Sequence, residues 1–171
     1  MPKILENVRE QLMEEAMRQI HENGYEKTTI RSIAGACNMA VGTVYNYFES
    51  KDMLIATFML GDWMKCLEEM REAPTDNPRD FLVHFQGALI GFMDKYQTLF
   101  RDKEAAKAFA GVFSDRHKQL RSQLAEIILP ICNGSEGDKS FMAEFIAEAI
   151  LTWTVAGKGV EDMLPIIEKL I

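Results

Sequence analysis

The chain has little of what would mark a secreted, membrane-bound or metal-dependent protein. No uninterrupted apolar run approaches the ~18 residues of a membrane-spanning helix, so no membrane association is expected. Met1-Pro2-Lys3 leads into an amphipathic stretch, not an apolar one, so no leader peptide is expected. There are only three cysteines, Cys37, Cys66 and Cys132, odd in number and scattered. They suit a reducing compartment such as the cytoplasm better than a disulfide framework. The three histidines, His21, His84 and His117, share no ligand-like spacing with one another or with cysteine. Neither a metal nor a cofactor is expected. No serine, cysteine or carboxylate constellation points to catalysis, so the chain does not read as an enzyme. Prolines are few, five in 171 residues, and alternating apolar–polar runs are missing, which argues against strands.

What is present is helical periodicity over a chain with 47% hydrophobic residues. In residues 4–22, Leu5, Val8, Leu12, Ala16 and Ile20 recur every three or four positions and form a buried stripe. Gly24 stops that helix, as glycine does just past a helix end. Further helices are predicted at about 51–72, 78–99, 102–110, 114–131, 139–157 and 160–170. Pro78 sits at a first helical position behind a capping Asn77, Pro130 marks a last turn, and Pro165 either kinks the final helix or delays its start. With two short helices between 28 and 48, the class is all-α, with about nine helices. The expected division is residues 1–50 and residues 51–171.

The segment Thr28–Leu54 organises the chain. Thr28 or Thr29 can cap a short helix whose Ile30, Ile33 and Ala34 share one apolar face. Cys37-Asn38-Met39 forms the turn, and Asn38 tolerates the left-handed backbone that a helix-to-helix corner needs. A second helix covers Ala40–Phe48, with Val44 and Phe48 inward and Val41, Thr43, Tyr45 and Tyr47 on an uncharged outer side. Ser50 caps the helix that starts at Lys51. Two short helices across a three- or four-residue turn make a helix-turn-helix, whose second helix fits the major groove of DNA.

The pieces G-Y-E-K-T-T-I-R-S-I-A, G-T-V-Y-N-Y-F and S-K-D-M-L, between Gly24 and Leu54, resemble the tetracycline-repressor (TetR) family of one-component transcriptional regulators. The resemblance ends near residue 60. It implies a three-helix DNA-binding domain followed by a helical ligand-binding and dimerisation domain. It also implies a homodimer on a palindromic double-stranded DNA operator, acting as a repressor released by an apolar small-molecule effector. Carried over residue by residue, the DNA-binding positions are Thr28, Thr29, Arg31, Ala40, Val41, Gly42, Thr43, Tyr45, Tyr47 and Lys51. Hydroxyls of Thr29, Tyr45 and Tyr47 suit phosphates, as does Lys51 at its helix start. Gly42 lets the backbone approach base edges. Val41 and the Thr43 methyl suit thymine methyls, and Arg31 can reach a guanine or a phosphate. Two positions depart from the family pattern: Ala40 stands where serine is frequent, Val41 where a basic residue is. Both lower the expected affinity.

Aromatic residues in the second domain are candidates for an effector pocket: Trp63, Phe85, Phe92, Phe109, Phe113 and Trp153. Eleven methionines would let such a pocket adapt. Pairing of the last two helices from two copies would use Phe141, Phe145, Ile146, Ile150, Ile167 and Leu170. Net charge weighs on the other side, at −7 overall. The acid of the first part lies mostly in the opening helix, and from Lys27 to Lys51 three basic residues face one acidic residue. The rival reading is a protein-interaction module that keeps the helix-turn-helix as a scaffold, and salt-dependent duplex binding separates the two.

Overall fold

The computed structural model describes residues 2–132 and 138–171, with their side chains except at 2–6 and 110–116. Its helices are α1 Pro2–Asn23, α2 Ile30–Ala36, α3 Val41–Tyr45, α4 Lys51–Arg71, α5 Pro78–Lys95, α6 Gln97–Arg101, α7 Lys103–Ile128, α8 Lys139–Val155 and α9 Val160–Ile167. A 3-10 turn at Leu129–Ile131 holds Pro130. No strand occurs among the described residues.

Three boundaries differ from the periodicity. The helix expected over 78–99 is broken at Tyr96, whose backbone (φ −107°, ψ 9°) leaves the helical region. Tyr96 is fully buried, and its hydroxyl donates to Asp62 Oδ2 at 2.6 Å. A buried phenol must find a partner, and Asp62 supplies it at the break. Conversely, the helices expected at 102–110 and 114–131 are one, α7, running through Gly111. A glycine inside a helix costs about 1 kcal/mol relative to alanine, too little to divide 26 residues of helix. The second short helix is also shorter than expected, ending at Tyr45 and not at Phe48.

The chain forms two compact units, and they do not follow chain order. Unit 1 is Met1–Asp62 with Lys95–Ala110; unit 2 is Trp63–Asp94 with Gly111–Ile171. The first boundary between these compact units falls inside α4, after Asp62. In unit 1, Leu12, Ala16 and Ile20 of α1 pack in a core with Ile33, Ala34, Val44, Leu54 and Ile55. In unit 2, Phe81 and Phe85 stack at 5.8 Å within a core that includes Leu67, Leu82, Leu124, Ile128, Ile146 and Ile150.

This arrangement corrects several apolar assignments. Ile146, Ile150 and Ile167 are buried inside unit 2, so they hold their own chain together and are not open to a second copy. Phe141 and Phe145 lie on the opposite, open side of α8, and Leu170 is half-buried. Trp153 belongs to that open side too, with half its surface exposed, so it does not line the interior. Trp63 and Phe92 meet edge-on at 5.3 Å in unit 2, where the Trp63 indole donates to Gln123 Oε1 at 2.9 Å. Phe85 is wholly buried beside them in the same core. Phe109 is in unit 1, edge-on to Tyr25 at 6.0 Å. Phe113 lies outside the residues whose side chains are described. Within unit 2, therefore, Trp63 and Phe85 share the core, Phe92 packs against it, and Trp153 stands apart on the open side.

Candidate nucleic-acid interface

The site is built by α2, the turn after it, α3 and the start of α4. Thr29 is the N-cap of α2: its hydroxyl accepts from the Ser32 N–H at 3.1 Å, and Ser32 Oγ accepts from the Thr29 N–H at 3.0 Å. This reciprocal capping box satisfies two otherwise orphaned donors. Gln19 ties the box to α1. Its amide accepts from Ser32 Oγ at 2.6 Å and donates to Glu15 Oε1 at 2.6 Å, while Arg18 beside Glu15 holds that carboxyl below its ordinary range.

The corner between α2 and α3 follows from Asn38. Its φ of 53° is left-handed, and the Met39 N–H reaches back to Ala34 O at 2.8 Å while the Asn38 N–H reaches Gly35 O at 3.2 Å. Those two bonds are the Schellman closure, with asparagine in the place glycine often fills. Ala40 opens α3 with no side-chain cap. Ser50 does cap α4, accepting from the Met53 N–H at 3.1 Å.

Between these elements an open cleft is lined by Glu26, Thr28, Thr29, Ile30, Arg31, Val41, Tyr45 and Lys51. Six of the ten DNA-binding candidates therefore share one concavity. Tyr45 is 52% exposed, and Thr29 and Arg31 are also exposed. Ala40, Gly42 and Thr43 are exposed along α3 outside the cleft, and Tyr47 is half-buried. A Cβ built on Gly42 meets nothing within 4 Å, so this stretch of α3 backbone is open to approach.

Two candidates are used differently from expectation. Thr28 backs the cleft but is fully buried, and its hydroxyl donates to Gly24 O at 3.0 Å, so it closes the α1–α2 loop and cannot touch a phosphate. Lys51 is not a free cation. Its ammonium donates to Tyr25 O at 2.7 Å and lies 3.6 Å from the centre of the Tyr25 ring. Burial pushes its pKa down, against the pull of Asp52, Asp102 and Glu26. The lysine keeps donors for the cleft, but its position is set by Tyr25.

Tyr25 is the unforeseen organiser. Its hydroxyl donates to Asp52, and its N–H donates to Asp102 Oδ2 at 2.9 Å. Burial, with Asp52 next, raises its phenol well above the ordinary range. Asp102 in turn caps α7, since Oδ1 accepts from the N–H groups of Glu104 at 2.9 Å and Ala105 at 3.1 Å. The backbone donors, Tyr25 first, hold the Asp102 carboxyl below its usual range. No sequence signal paired Tyr25 with Asp102, because 77 residues separate them. Asn46, also overlooked, stands exposed as the C-cap of α3. Its four-residue spacing from Gly42 was the available clue.

Among the described residues no group of three or more His, Cys, Asp or Glu could hold a metal ion, and no helix is long and apolar enough to cross a membrane. A capped helix, a left-handed corner and an exposed, uncharged second helix define a helix-turn-helix domain of the kind that enters a DNA groove. Residues 12–57 match the family model of bacterial regulatory proteins, tetR family. The fatty acid metabolism regulator protein of Bacillus subtilis (strain 168) is 37% identical over 77 residues, 43% of this chain and 40% of that protein. The HTH-type transcriptional regulator BetI of Burkholderia mallei (strain NCTC 10229) is 37% identical over 84 residues, 46% of this chain and 43% of that one. The chain thus aligns with about two fifths of the length of these curated relatives.

Solved structures extend the likeness in fold. A putative transcriptional regulator from Pseudomonas aeruginosa PAO1 superposes with a TM-score of 0.62 at 16% identity, over 88% of this chain and 79% of that one. A TetR/AcrR-family regulator from Thermobifida fusca gives 0.60 at 16% identity, over 96% and 94%. The likeness to the tetR family of bacterial regulatory proteins is thus carried by residues 12–57, and over most of its length the chain shares the helical fold of these solved regulators.

Proposed function

We propose that the chain is a sequence-specific DNA-binding transcriptional regulator, a repressor that grips a palindromic operator as a homodimer and is released by an apolar effector. The observation that carries DNA binding is the cleft that joins Thr29 and Arg31 of α2, Val41 and Tyr45 of α3, and Lys51 of α4. Hydroxyl and cationic groups on its walls suit a phosphate, and the open backbone of α3 beside it suits a groove. Pairing is supported by the outer side of α8, where Phe141, Phe145, Trp153 and Val155 are all at least half exposed, and by Ile166 of α9 at 63%. Two-fold pairing would present two recognition helices to successive turns of the groove. The effector reading is supported by the half-buried Phe92, Met93 and Met142 against the unit 2 core. Release requires the effector to prefer the conformation that does not bind DNA.

The test is selection of bound duplexes from a random pool at two salt concentrations, with the wild type and Tyr45→Phe side by side. A palindromic motif, bound more weakly at high salt and by the variant lacking one hydroxyl, is the expected result. No enrichment at low salt would refute DNA binding. Phe145→Asp should yield a monomer on analytical ultracentrifugation, and a dimer of undiminished stability would refute the α8 pairing.

A further inference from the structure

Asn46 is the C-cap of α3, immediately after Tyr45, and stands exposed. Val44 is fully buried and points into unit 1. At ~100° per residue, Asn46 projects about 160° away from it, and its backbone (φ −69°, ψ −20°) keeps the helical course to that point. Gly42 lies one turn earlier on the same line, with open space where a side chain would be. Thr43 and Tyr45 stand about 80° to either side of that line, while the half-buried Val41 turns toward the cleft it lines. The amide of Asn46 has no hydrogen-bond partner among the described residues, so nothing holds it back from a ligand.

The chemistry of this face is restricted. From Val41 to Asn46 it holds no lysine, arginine, aspartate or glutamate. Arg31 and Lys51 line the cleft, and the Lys51 ammonium is tied to the Tyr25 carbonyl. The fork that most often reads guanine, a bidentate arginine or lysine, is missing from α3. An asparagine amide instead carries one acceptor and one donor side by side. Adenine shows the complement in the major groove, an N6 donor next to the N7 acceptor, whereas guanine shows two acceptors and leaves the amide oxygen unpaired. The methyls of Val41 and Thr43 match the thymine 5-methyl.

We infer that α3 reads A·T pairs: Asn46 bonds adenine N6 and N7, and Thr43 on the outer face, with Val41 at the cleft edge, packs on neighbouring thymine methyls. This rests on α3 being a recognition helix. It adds that each half-site has an A·T core chosen by one amide and the methyl groups of two side chains, and that Arg31 serves position more than sequence.

The test uses the full chain and the duplex recovered by selection, with affinity read by fluorescence anisotropy. Replacing N7 by carbon at one adenine of each half-site (7-deazaadenine) should weaken wild-type binding roughly 5- to 150-fold. Asn46→Ala should bind the unmodified duplex with the same loss and be indifferent to the modified adenine. Thymine→uracil changes beside it should weaken binding further through the lost methyls. Asn46→Asp, whose carboxylate only accepts, should lose the adenine preference and favour cytosine there. Circular dichroism confirms that each variant is folded. G·C pairs at the centre of the selected half-site, or an Asn46→Ala protein with unchanged base preferences, would overturn the inference while leaving the regulator standing, provided binding still falls with salt and with Tyr45→Phe. Salt-dependent binding to no duplex at all would overturn both.

Discussion

Removing the Asp102 carboxylate should loosen unit 1 by more than a surface substitution can. In Asp102→Ala, α7 loses the acceptor for the Glu104 and Ala105 N–H groups. An aspartate N-cap contributes about 1 kcal/mol. The same change strands the Tyr25 N–H, in a residue only 5% exposed. A buried donor left without a partner costs about 1–3 kcal/mol. The sum is about 2–4 kcal/mol, which for a chain of this size lowers Tm by roughly 5–15 °C. Asp102→Asn separates the two parts. Asparagine caps as well as aspartate, but its amide nitrogen cannot accept from Tyr25, so this variant should fall between wild type and alanine. The effect also has a pH signature. Asp102 has a folded pKa below its ordinary value, chiefly through the Tyr25 N–H. Its contribution is therefore complete above an unfolded aspartate pKa of ~3.9 and is lost as pH falls through the lower folded value. Thermal melts followed by circular dichroism at pH 7 and pH 3 would show the gap between wild type and alanine narrowing in acid. A Tm within about 2 °C of wild type at pH 7, or a gap that widens in acid, would refute the reasoning.

Asn38→Ala should destabilise by about 1–2 kcal/mol because alanine must hold a φ of 53°, whereas Asn38→Gly should be neutral or stabilising; urea midpoints decide this, and equal midpoints would refute the left-handed corner. Gln86→Leu should expose its role as a clasp: Oε1 accepts from the Val160 N–H at 2.5 Å, and Nε2 donates to Thr154 Oγ1 and Lys158 O. The loss should cost about 1–3 kcal/mol and raise hydrogen exchange at Val160, the first residue of α9. Among the cysteines, burial pushes the Cys66 thiol up to about 12 and raises Cys132 also, while Cys37 is half-buried and raised by burial and Glu15. A disulfide reagent at pH 8 should thus modify Cys37 first, and all three only in denaturant, as read by mass spectrometry. Faster labelling of Cys66 would contradict its burial.

Local chemistry is what the sequence determined. The glycine that stops α1, the threonine that caps α2, the asparagine at the corner and the serine that caps α4 act within four or five residues of themselves. Each was legible as a residue type at a spacing. The capping box narrowed the choice between Thr28 and Thr29 to Thr29, because only its side chain reaches Ser32. Tertiary structure decided what depends on distant partners. Tyr96 ends a helix because Asp62 waits there, 34 residues away. Thr28 was lost to the interface because the fold buries it, and Lys51 was drawn inward by the ring and carbonyl of Tyr25. Spacing offered Phe141, Phe145, Ile146 and Ile150 of α8 alike as apolar positions but could not divide them. Packing alone put Ile146 and Ile150 inside and left Phe141, Phe145 and Trp153 outside, since which side of a helix meets a core depends on neighbours its own sequence does not specify.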